Sequence, residues 1–214
     1  MTYRLYHAPG SASAGVRVLL EEIGAPYELI DTTIDRSKPR PAAQIAANPN
    51  GWVPVLLWDD KAMYEGAAIT IFLCDRHAAA GLAPAIDAPE RGLFLQTLVY
   101  FSSSVQTAFQ LDYYPDRFAD TPETEASAQA RGLRRLRETW GIVNDQIGGN
   151  LWVLGEQFSA ADIYLFMLTT WLRPARGQPQ TSEFANVKRI ADKVQERPSV
   201  QKVYADWIAE NGSR

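Results

Sequence analysis

Hydrophobic and polar positions follow different patterns in the two halves of the chain. In the first part, short apolar runs alternate with segments whose apolar residues recur every three or four positions, the spacing of one helix face. This pattern predicts strands at 3–6, 27–30, 53–58 and 62–64, with helices at 16–23, 42–47 and 66–77. The order β-α-β-α-β-β-α is typical of a thioredoxin-like α/β domain.

The second half of the chain has the pattern of an all-helical domain. Residues 78–89 are mostly small and include prolines, which is typical of a linker. Beyond them, periodic apolar positions predict helices at 93–111, 123–147, 160–172, 183–196 and 199–210, and no strand. We therefore expect a thioredoxin-like domain at 1–78, a linker at 79–88 and an all-α domain at 89–214.

Composition and charge exclude several classes of protein. The chain is 46% hydrophobic and 21% charged, as in globular rather than disordered proteins. Its net charge of −4 argues against binding to nucleic acid or to an anionic membrane. One cysteine, Cys74, and two histidines leave no internal disulfide and no expected metal site. No apolar run approaches the ~18 residues of a membrane span, so we expect a soluble protein of a reducing compartment.

The first candidate site is the segment 48–56, NPNGWVPVL, in which Pro54 opens a predicted strand. A proline there removes one backbone donor from the ladder. The plain interpretation is an ordinary trans-proline at a strand start. The functional hypothesis is a cis Val53–Pro54 bond in a turn, which presents the N–H and C=O of Val53 to an extended peptide.

The second candidate site is the segment 63–69, MYEGAAI, where a strand ends and a helix begins at Gly66. Free N–H groups at a helix start favour a carboxylate, and Glu65 beside them can accept from an ammonium group. Together they match the carboxylate and the amine of an amino acid. A glutamate at a helix start, taken alone, is explained by the helix dipole.

A third motif has a structural interpretation. Ser159 and Asp162 have the spacing of a capping box that opens an apolar helix, with Asp in place of the commoner Glu. We therefore assign Asp162 to folding and not to catalysis.

The order of elements, the Val53–Pro54 strand start, the Glu65 helix start and the capping box of Ser159 and Asp162 together resemble the cytosolic glutathione S-transferases. The similarity covers essentially the whole chain. It implies a thioredoxin-like N-terminal domain that binds glutathione and an all-α C-terminal domain that shapes a site for a hydrophobic electrophile.

The same resemblance implies how glutathione is held. Val53 would bind its cysteinyl backbone beside a cis Pro54, while Glu65 and the Gly66 N–H would bind its γ-glutamyl end. Family members usually have serine or threonine at the Gly66 position, so a hydroxyl donor worth about 1 kcal/mol is missing here. Trp52 stands where a small or polar residue is common, and we expect it to shape the pocket.

The catalytic group must favour ionisation of the glutathione thiol, because the thiolate is the nucleophile. The family places its catalytic serine or cysteine in the loop before the first helix, here 9–14, PGSASA. The cysteine of the bacterial members aligns with Ala12, and the serine of the serine-type members aligns with Gly10. Neither position is matched in this chain.

Three hydroxyl groups near this loop remain candidates. We expect Ser11 to donate to the sulfur, with Ser13 as the second candidate and Tyr6, at the end of the first strand, as the third. In the alternative hypothesis, Ser11 or Ser13 only caps the first helix, and we expect Ser13 to do so.

The helical domain supplies the candidates for the co-substrate pocket. Tyr100, Ser103 and Gln106 lie three residues apart on one predicted helix and are expected to face a cleft. Tyr113 is expected to line an apolar pocket. Bacterial members of the cysteine type tend to have histidine at the Gln106 position.

The resemblance implies a cytoplasmic glutathione S-transferase that uses glutathione as co-substrate and no metal. It implies a homodimer formed through the third and fourth helices. Two alternatives remain open at this point: a glutathione-binding protein with little or no catalysis, and a glutathione-dependent isomerase or reductase.

Overall fold

A computed structural model describes residues 2–211 of the chain. They form two compact units: residues 2–88 together with 194–211, and Pro89–Lys193. The first unit is therefore discontinuous in sequence, because its last segment follows the second unit along the chain. The domain limits at 78 and 89 stay a prediction.

The first unit is built on one four-stranded sheet of β1 (Tyr3–His7), β2 (Tyr27–Asp31), β3 (Val55–Trp58) and β4 (Lys61–Tyr64), with the strand order β2-β1-β3-β4. The β1 and β2 strands are parallel, and the other neighbours are antiparallel. This is the predicted thioredoxin-like α/β arrangement. Its elements in chain order are β1 Tyr3–His7, α1 Ser13–Ile23, β2 Tyr27–Asp31, α2 Ala42–Ala47, β3 Val55–Trp58, β4 Lys61–Tyr64 and α3 Gly66–Arg76.

The ends of these elements follow from backbone chemistry. The third strand begins at Val55, two residues later than predicted, because Pro54 has no N–H to donate to a ladder. Gly24 ends α1 with a φ of +70°, and its N–H bonds back to the carbonyl oxygens of the last turn. Asp59 takes a φ of +52° in the tight turn between β3 and β4.

The second unit is helical, as predicted, and within residues 89–193 the structure has only an isolated bridge between Trp152 and Gly155 as β-type pairing. The helix predicted at 93–111 is interrupted by a π-helical turn, Phe101–Val105. The remaining α-helices within residues 2–211 are α4 Arg91–Tyr100, α5 Gln106–Tyr113, α6 Pro122–Ile147, α7 Ala160–Thr169, α8 Ala185–Gln195, α9 Pro198–Val203 and α10 Ala205–Asn211.

The end of the chain differs from its prediction. A single helix was expected at 199–210, but the structure has α9 and α10, which are separated at Tyr204. Both belong to the first unit, where α9 packs against α1. Among residues 2–211, no helix is long and apolar enough to cross a membrane.

Candidate functional site

Strand register brings the predicted glutathione-binding segments of the first unit to one edge of the sheet. Tyr6 near the end of β1 pairs with Val55 at the start of β3, and Val55 also pairs with Tyr64 at the end of β4. The loop after β1, the Val53–Pro54 peptide before β3 and Glu65 after β4 must therefore leave the sheet at the same edge. These are the segments that carry the predicted catalytic and binding residues.

The Val53–Pro54 peptide bond is cis, as the resemblance implied. Val53 is half-buried and Pro54 is buried, and both precede the first ladder position of β3. The backbone groups of Val53 thus lie beside the sheet edge but outside the β3 ladder.

Two buried amide side chains, neither of them a predicted site residue, hold the loop before Val53. Gln44 on α2 donates from Nε2 to the Gly51 carbonyl at 2.9 Å and accepts at Oε1 from the Thr32 hydroxyl at 2.7 Å. Asn48 donates from Nδ2 to the Trp52 carbonyl at 3.1 Å. No periodicity marks Gln44, whereas the Asn-Pro-Asn-Gly turn at 48–51 is a signal for Asn48.

Trp52 and Gly51 complete this loop. Gly51 has a φ of +69°, a conformation that favours glycine, and its N–H bonds to the Asn48 carbonyl at 2.8 Å. The Trp52 side chain is 45% exposed although its carbonyl is held by Asn48. A large aromatic surface therefore stands next to Val53, where the sequence analysis expected a pocket wall.

Glu65 and Gly66 form the start of α3. Glu65 is exposed and has a φ of +74°, which is uncommon for a residue other than glycine. Its carbonyl accepts from the Ile69 N–H at 2.9 Å, and Thr70 donates from its hydroxyl to the Gly66 carbonyl at 2.8 Å. The carbonyl oxygens are thus used inside the helix, while N–H groups of the first turn point outward, as helix geometry requires.

The hydroxyl groups of Ser11 and Ser13 lie 2.7 Å apart in the loop after β1. The Ser11 hydroxyl also lies 2.7 Å from the Ala8 carbonyl and accepts from the Ser13 N–H at 3.2 Å. Ser13 Oγ accepts from the Ala8 N–H at 3.1 Å and lies 2.9 Å from His7 Nδ1. Both side chains are buried, with 8% and 0% of their surface exposed.

The expectation that the Ser13 hydroxyl caps the first helix is wrong. Ser13 is the first residue of α1, and the preceding residue, Ala12, provides no side-chain cap. Ser11 accepts from an N–H of the first turn instead, while the Ser13 hydroxyl turns back toward β1. Tyr6, the third candidate, is buried with 4% of its surface exposed.

His7 is a buried titratable group that was not among the predicted site residues. Burial lowers the pKa of the His7 imidazole, Arg17 lowers it further, and Asp31 acts in the opposite direction. The ring is therefore neutral at physiological pH. The sequence feature that could have identified His7 is its position at the last residue of β1, directly before the candidate loop.

Two of the predicted co-substrate residues of the second unit, Tyr100 and Gln106, have neighbours on different helices. Burial raises the pKa of Tyr100, whose charged neighbours are Arg135 and Glu138 of α6. Gln106 instead accepts from the Tyr164 hydroxyl of α7. The π-helical turn between Tyr100 and Gln106 disturbs the regular helical spacing on which the prediction relied.

Ser103 and Tyr113 also make contacts within the second unit. Ser103 is exposed and donates to the Val99 carbonyl at 2.7 Å. Tyr113 stacks on Phe109 and donates to the Trp171 carbonyl at 2.6 Å. Its ring is therefore held beside the Phe109 ring, and its hydroxyl is bonded to the backbone of Trp171.

The capping box at the start of α7 is present as predicted. Asp162 accepts from the Ser159 N–H and the Val153 N–H, both at 2.8 Å, and the Ser159 hydroxyl accepts from the Ala161 N–H at 3.2 Å. Burial raises the pKa of Asp162 to about 6, although these hydrogen bonds oppose the change. No group of three or more potential metal ligands is found within residues 2–211.

Comparisons with known proteins identify the family. The model of the glutathione S-transferase N-terminal domain matches residues 5–81, and that of the C-terminal domain matches residues 126–205. The GST-like protein YncG of Escherichia coli is 30% identical over 94% of this chain and 96% of its own. Glutathione S-transferase GstA of E. coli is 27% identical over 92% of this chain and 95% of its own.

A solved structure extends this similarity to three dimensions. A glutathione transferase homologue from Sulfitobacter, solved with bound glutathione, has a TM-score of 0.85 at 27% identity, covering 96% of this chain and 98% of that one. The match spans both the sheet unit and the helical unit. With the two domain matches and the relative at 30% identity, it shows that this chain belongs to the glutathione S-transferase family.

Proposed function

We propose that the protein is a glutathione S-transferase that binds glutathione at the sheet edge of its first unit and activates the thiol for attack on a hydrophobic electrophile. One observation carries this proposal. The pairing of Tyr6 with Val55 and of Val55 with Tyr64 directs three chain segments with complementary chemistry to a single edge. The relative from Sulfitobacter that was solved with glutathione supports it.

In this proposal, the peptide is held by backbone and carboxylate groups. Val53 pairs with the cysteinyl backbone of glutathione as an added strand would. Glu65 accepts from the γ-glutamyl ammonium group, and the N–H groups at the start of α3 bind its carboxylate. Gln44 and Asn48 support binding indirectly, because they hold the loop that leads to Val53.

Thiol activation is assigned to the Ser11 hydroxyl. A free thiol has a pKa near ~8.5, and a donor aimed at sulfur favours the thiolate. Ser11 is buried at the sheet edge. Its hydroxyl oxygen accepts from the Ser13 N–H, whereas its hydrogen bonds to the Ala8 carbonyl and could turn from there to sulfur. The resulting catalysis is modest, since it consists of ionisation and proximity.

The test is conjugation of glutathione to a generic aryl halide by the wild type and by Ser11→Ala. Loss of one charge-assisted bond of about 1.5–3 kcal/mol lowers the rate at neutral pH roughly ten- to a hundredfold, with partial recovery at high pH. Glutathione affinity stays nearly unchanged because other groups hold the peptide. Ser182→Ala, at an exposed serine of the second unit, is the matched control. Absence of glutathione-dependent turnover with a broad panel of electrophiles would contradict the proposal.

A second candidate function is glutathione binding without efficient catalysis. The observation that favours it is the internal bonding of both loop hydroxyls, together with the missing hydroxyl at Gly66. Spectroscopic titration of the bound thiol separates the two functions. Tight binding with an unshifted thiol pKa supports the binding protein, and a lowered thiol pKa supports the transferase.

We also propose that the protein acts as a cytoplasmic homodimer that uses α3 and α4, as the family resemblance implies. Exposed apolar side chains on α4 support this proposal: Leu93 is 46%, Leu95 36% and Val99 53% exposed. A monomer mass at micromolar concentration, measured by light scattering, would contradict the dimer. The co-substrate is proposed to contact the aromatic residues around Tyr113.

A further inference from the structure

A chain of three short contacts runs through the buried loop after β1. His7 Nδ1 lies 2.9 Å from Ser13 Oγ, Ser13 Oγ lies 2.7 Å from Ser11 Oγ, and Ser11 Oγ lies 2.7 Å from the Ala8 carbonyl oxygen. All three side chains are buried, with at most 8% of each residue's surface exposed. Each contact has the length of a hydrogen bond and needs one hydrogen.

Counting hydrogens along this chain leaves one arrangement that satisfies all three contacts. A carbonyl has no hydrogen, so the hydroxyl of Ser11 donates to Ala8. The hydrogen between the two serine oxygens must then come from Ser13. If Ser13 instead donated along its longer 3.3 Å contact to the Ala8 carbonyl, its 2.7 Å contact with Ser11 would have no hydrogen.

The same count assigns the tautomer of His7. Because the Ser13 hydroxyl donates to Ser11, the contact between Ser13 Oγ and His7 is a hydrogen bond only if Nδ1 of His7 carries the hydrogen. The number of hydrogen bonds that each serine oxygen accepts is consistent with this arrangement. Ser13 Oγ also accepts from the Ala8 N–H, and Ser11 Oγ also accepts from the Ser13 N–H, so each hydroxyl accepts two hydrogens and donates one.

We propose that His7 is a positioning residue of the active site: its Nδ1–H orients the Ser13 hydroxyl, which occupies a lone pair of Ser11, so that the Ser11 hydrogen, held by the Ala8 carbonyl, is the donor that can turn to the glutathione sulfur. The inference rests on the proposed role of Ser11 in thiol activation. When thiolate binds, the Ser11 hydrogen turns from the Ala8 carbonyl to sulfur, while the other two bonds of the chain stay in place. Each accepted bond also polarises the next hydroxyl and makes it a better donor.

The surroundings of His7 keep the ring neutral, as this arrangement requires. Of the elements packed against β1, α1 contributes Arg17 and β2 contributes Asp31, while β3 has no titratable residue. Burial and Arg17 lower the pKa of His7 and outweigh Asp31. The chain of bonds therefore keeps one direction at neutral pH, from His7 through Ser13 to Ser11.

The first test is the tautomer of His7 in the unmodified protein. Nitrogen-15 NMR distinguishes a protonated from an unprotonated ring nitrogen, and His77, the other histidine of the sequence, is assigned by the loss of its signals in His77→Gln. The proposal requires Nδ1–H on His7. A neutral ring with the hydrogen on Nε2 would overturn it, and this measurement does not depend on activity or on any variant of the loop.

The second test is the thiol pKa of bound glutathione, followed by the ultraviolet absorbance of the thiolate. We expect His7→Phe to raise this pKa by about half a unit to one unit, and His7→Asn to restore most of the change because its amide N–H occupies the place of Nδ1–H. In a Ser11→Ala background, His7→Phe should cause no further shift, since its effect passes through Ser11.

The outcomes separate the two proposals. If Ser11→Ala leaves the thiol pKa unchanged, the proposed role of Ser11 is wrong. If Ser11→Ala raises it and His7→Phe does not, only the role of His7 is wrong. Equal shifts from His7→Phe with and without Ser11 would also overturn the positioning role, because they would show that His7 acts independently.

Discussion

Arg197 and Glu22 are joined by two parallel hydrogen bonds, from Nε to Oε1 at 2.8 Å and from Nη2 to Oε2 at 2.6 Å. The Ser199 hydroxyl donates to the same carboxylate. Burial by itself would raise the pKa of Glu22, but the bonds from Arg197 and Ser199 outweigh it and hold that pKa below its ordinary value. This pair connects the segment before α9 to α1, whose first residue belongs to the candidate active site.

Arg197→Ala should lower the free energy of unfolding by about 2–4 kcal/mol, because it leaves the mostly buried Glu22 carboxylate with a single donor. Urea denaturation measures the loss. Lys202→Ala is the matched control, since it removes a more exposed cation from the neighbouring Glu21. Equal losses in the two variants would contradict this account.

The loss of unfolding free energy caused by Arg197→Ala should depend on pH, and the lowered pKa of Glu22 gives its direction. The pKa of Glu22 is lowered in the folded state, so its contribution is fully present above the unfolded pKa, near 4.5, and is lost as pH falls through the folded pKa. The difference between the wild type and Arg197→Ala should therefore shrink in acid. A difference that grows below pH 4 would contradict the assignment.

Gly132 on α6 has no room for a side chain. A Cβ there would lie 2.8 Å from the Asp112 backbone nitrogen and 2.8 Å from the Leu111 Cβ, both on α5. Gly132→Ala should destabilise the protein by about 1–3 kcal/mol because the two helices must separate. Gly141→Ala, on the same helix with open space around it, should instead stabilise by about 0.5–1 kcal/mol. Thermal unfolding of both variants tests the contrast.

Asp162 should make stability fall as pH rises. The folded pKa of Asp162, about 6, lies above the ordinary aspartate pKa of 3.8, so the folded state holds the proton more tightly than the unfolded state. Stability from this group is fully present below pH 3.8 and is lost as pH rises through about 6, a change of about 3 kcal/mol. The contribution of Asp162 is isolated by measuring the difference in unfolding free energy between the wild type and Asp162→Asn as a function of pH over this range. A flat difference would show that Asp162 titrates normally.

Gly66→Ser should strengthen glutathione binding. The substitution supplies the hydroxyl donor that most family members have at this position, and one added bond of about 1 kcal/mol gives roughly fivefold tighter binding. Gly66→Ala is the control because it changes helix propensity without adding a donor, and it should leave the affinity within about twofold. Calorimetric titration with glutathione measures both. If Gly66→Ala and Gly66→Ser increased glutathione affinity equally, the increase would come from helix propensity and not from a hydrogen bond to glutathione.

The elements of the first unit were predictable because each has a local signal. Gly24 and Pro54 limit α1 and β3 by backbone chemistry that acts within one or two residues. The capping box at Ser159 and Asp162 is equally local, since its donors and acceptors lie within one turn. Such features depend little on the rest of the fold.

The parts that escaped prediction depend on contacts between distant elements. The π-helical turn at Phe101–Val105 has no proline or glycine to mark it, so a regular helix was expected there. Gln44 has its role only because α2 lies beside the loop at Gly51. Ser13 turns its hydroxyl toward His7 because the last residue of β1 offers a partner, which helix propensity alone does not describe.

The discontinuity of the first unit has a consequence for biosynthesis. A ribosome makes the sheet and α1 early, but Arg197, which neutralises Glu22, and Ser199, which donates a hydrogen bond to it, are added only after every residue of the second unit. A nascent chain therefore carries an uncompensated carboxylate on α1 until residue 197 has been added. The unit that begins first is completed only after the second unit has been made. A chain truncated before residue 197 would contain α1 without Arg197, the partner of Glu22.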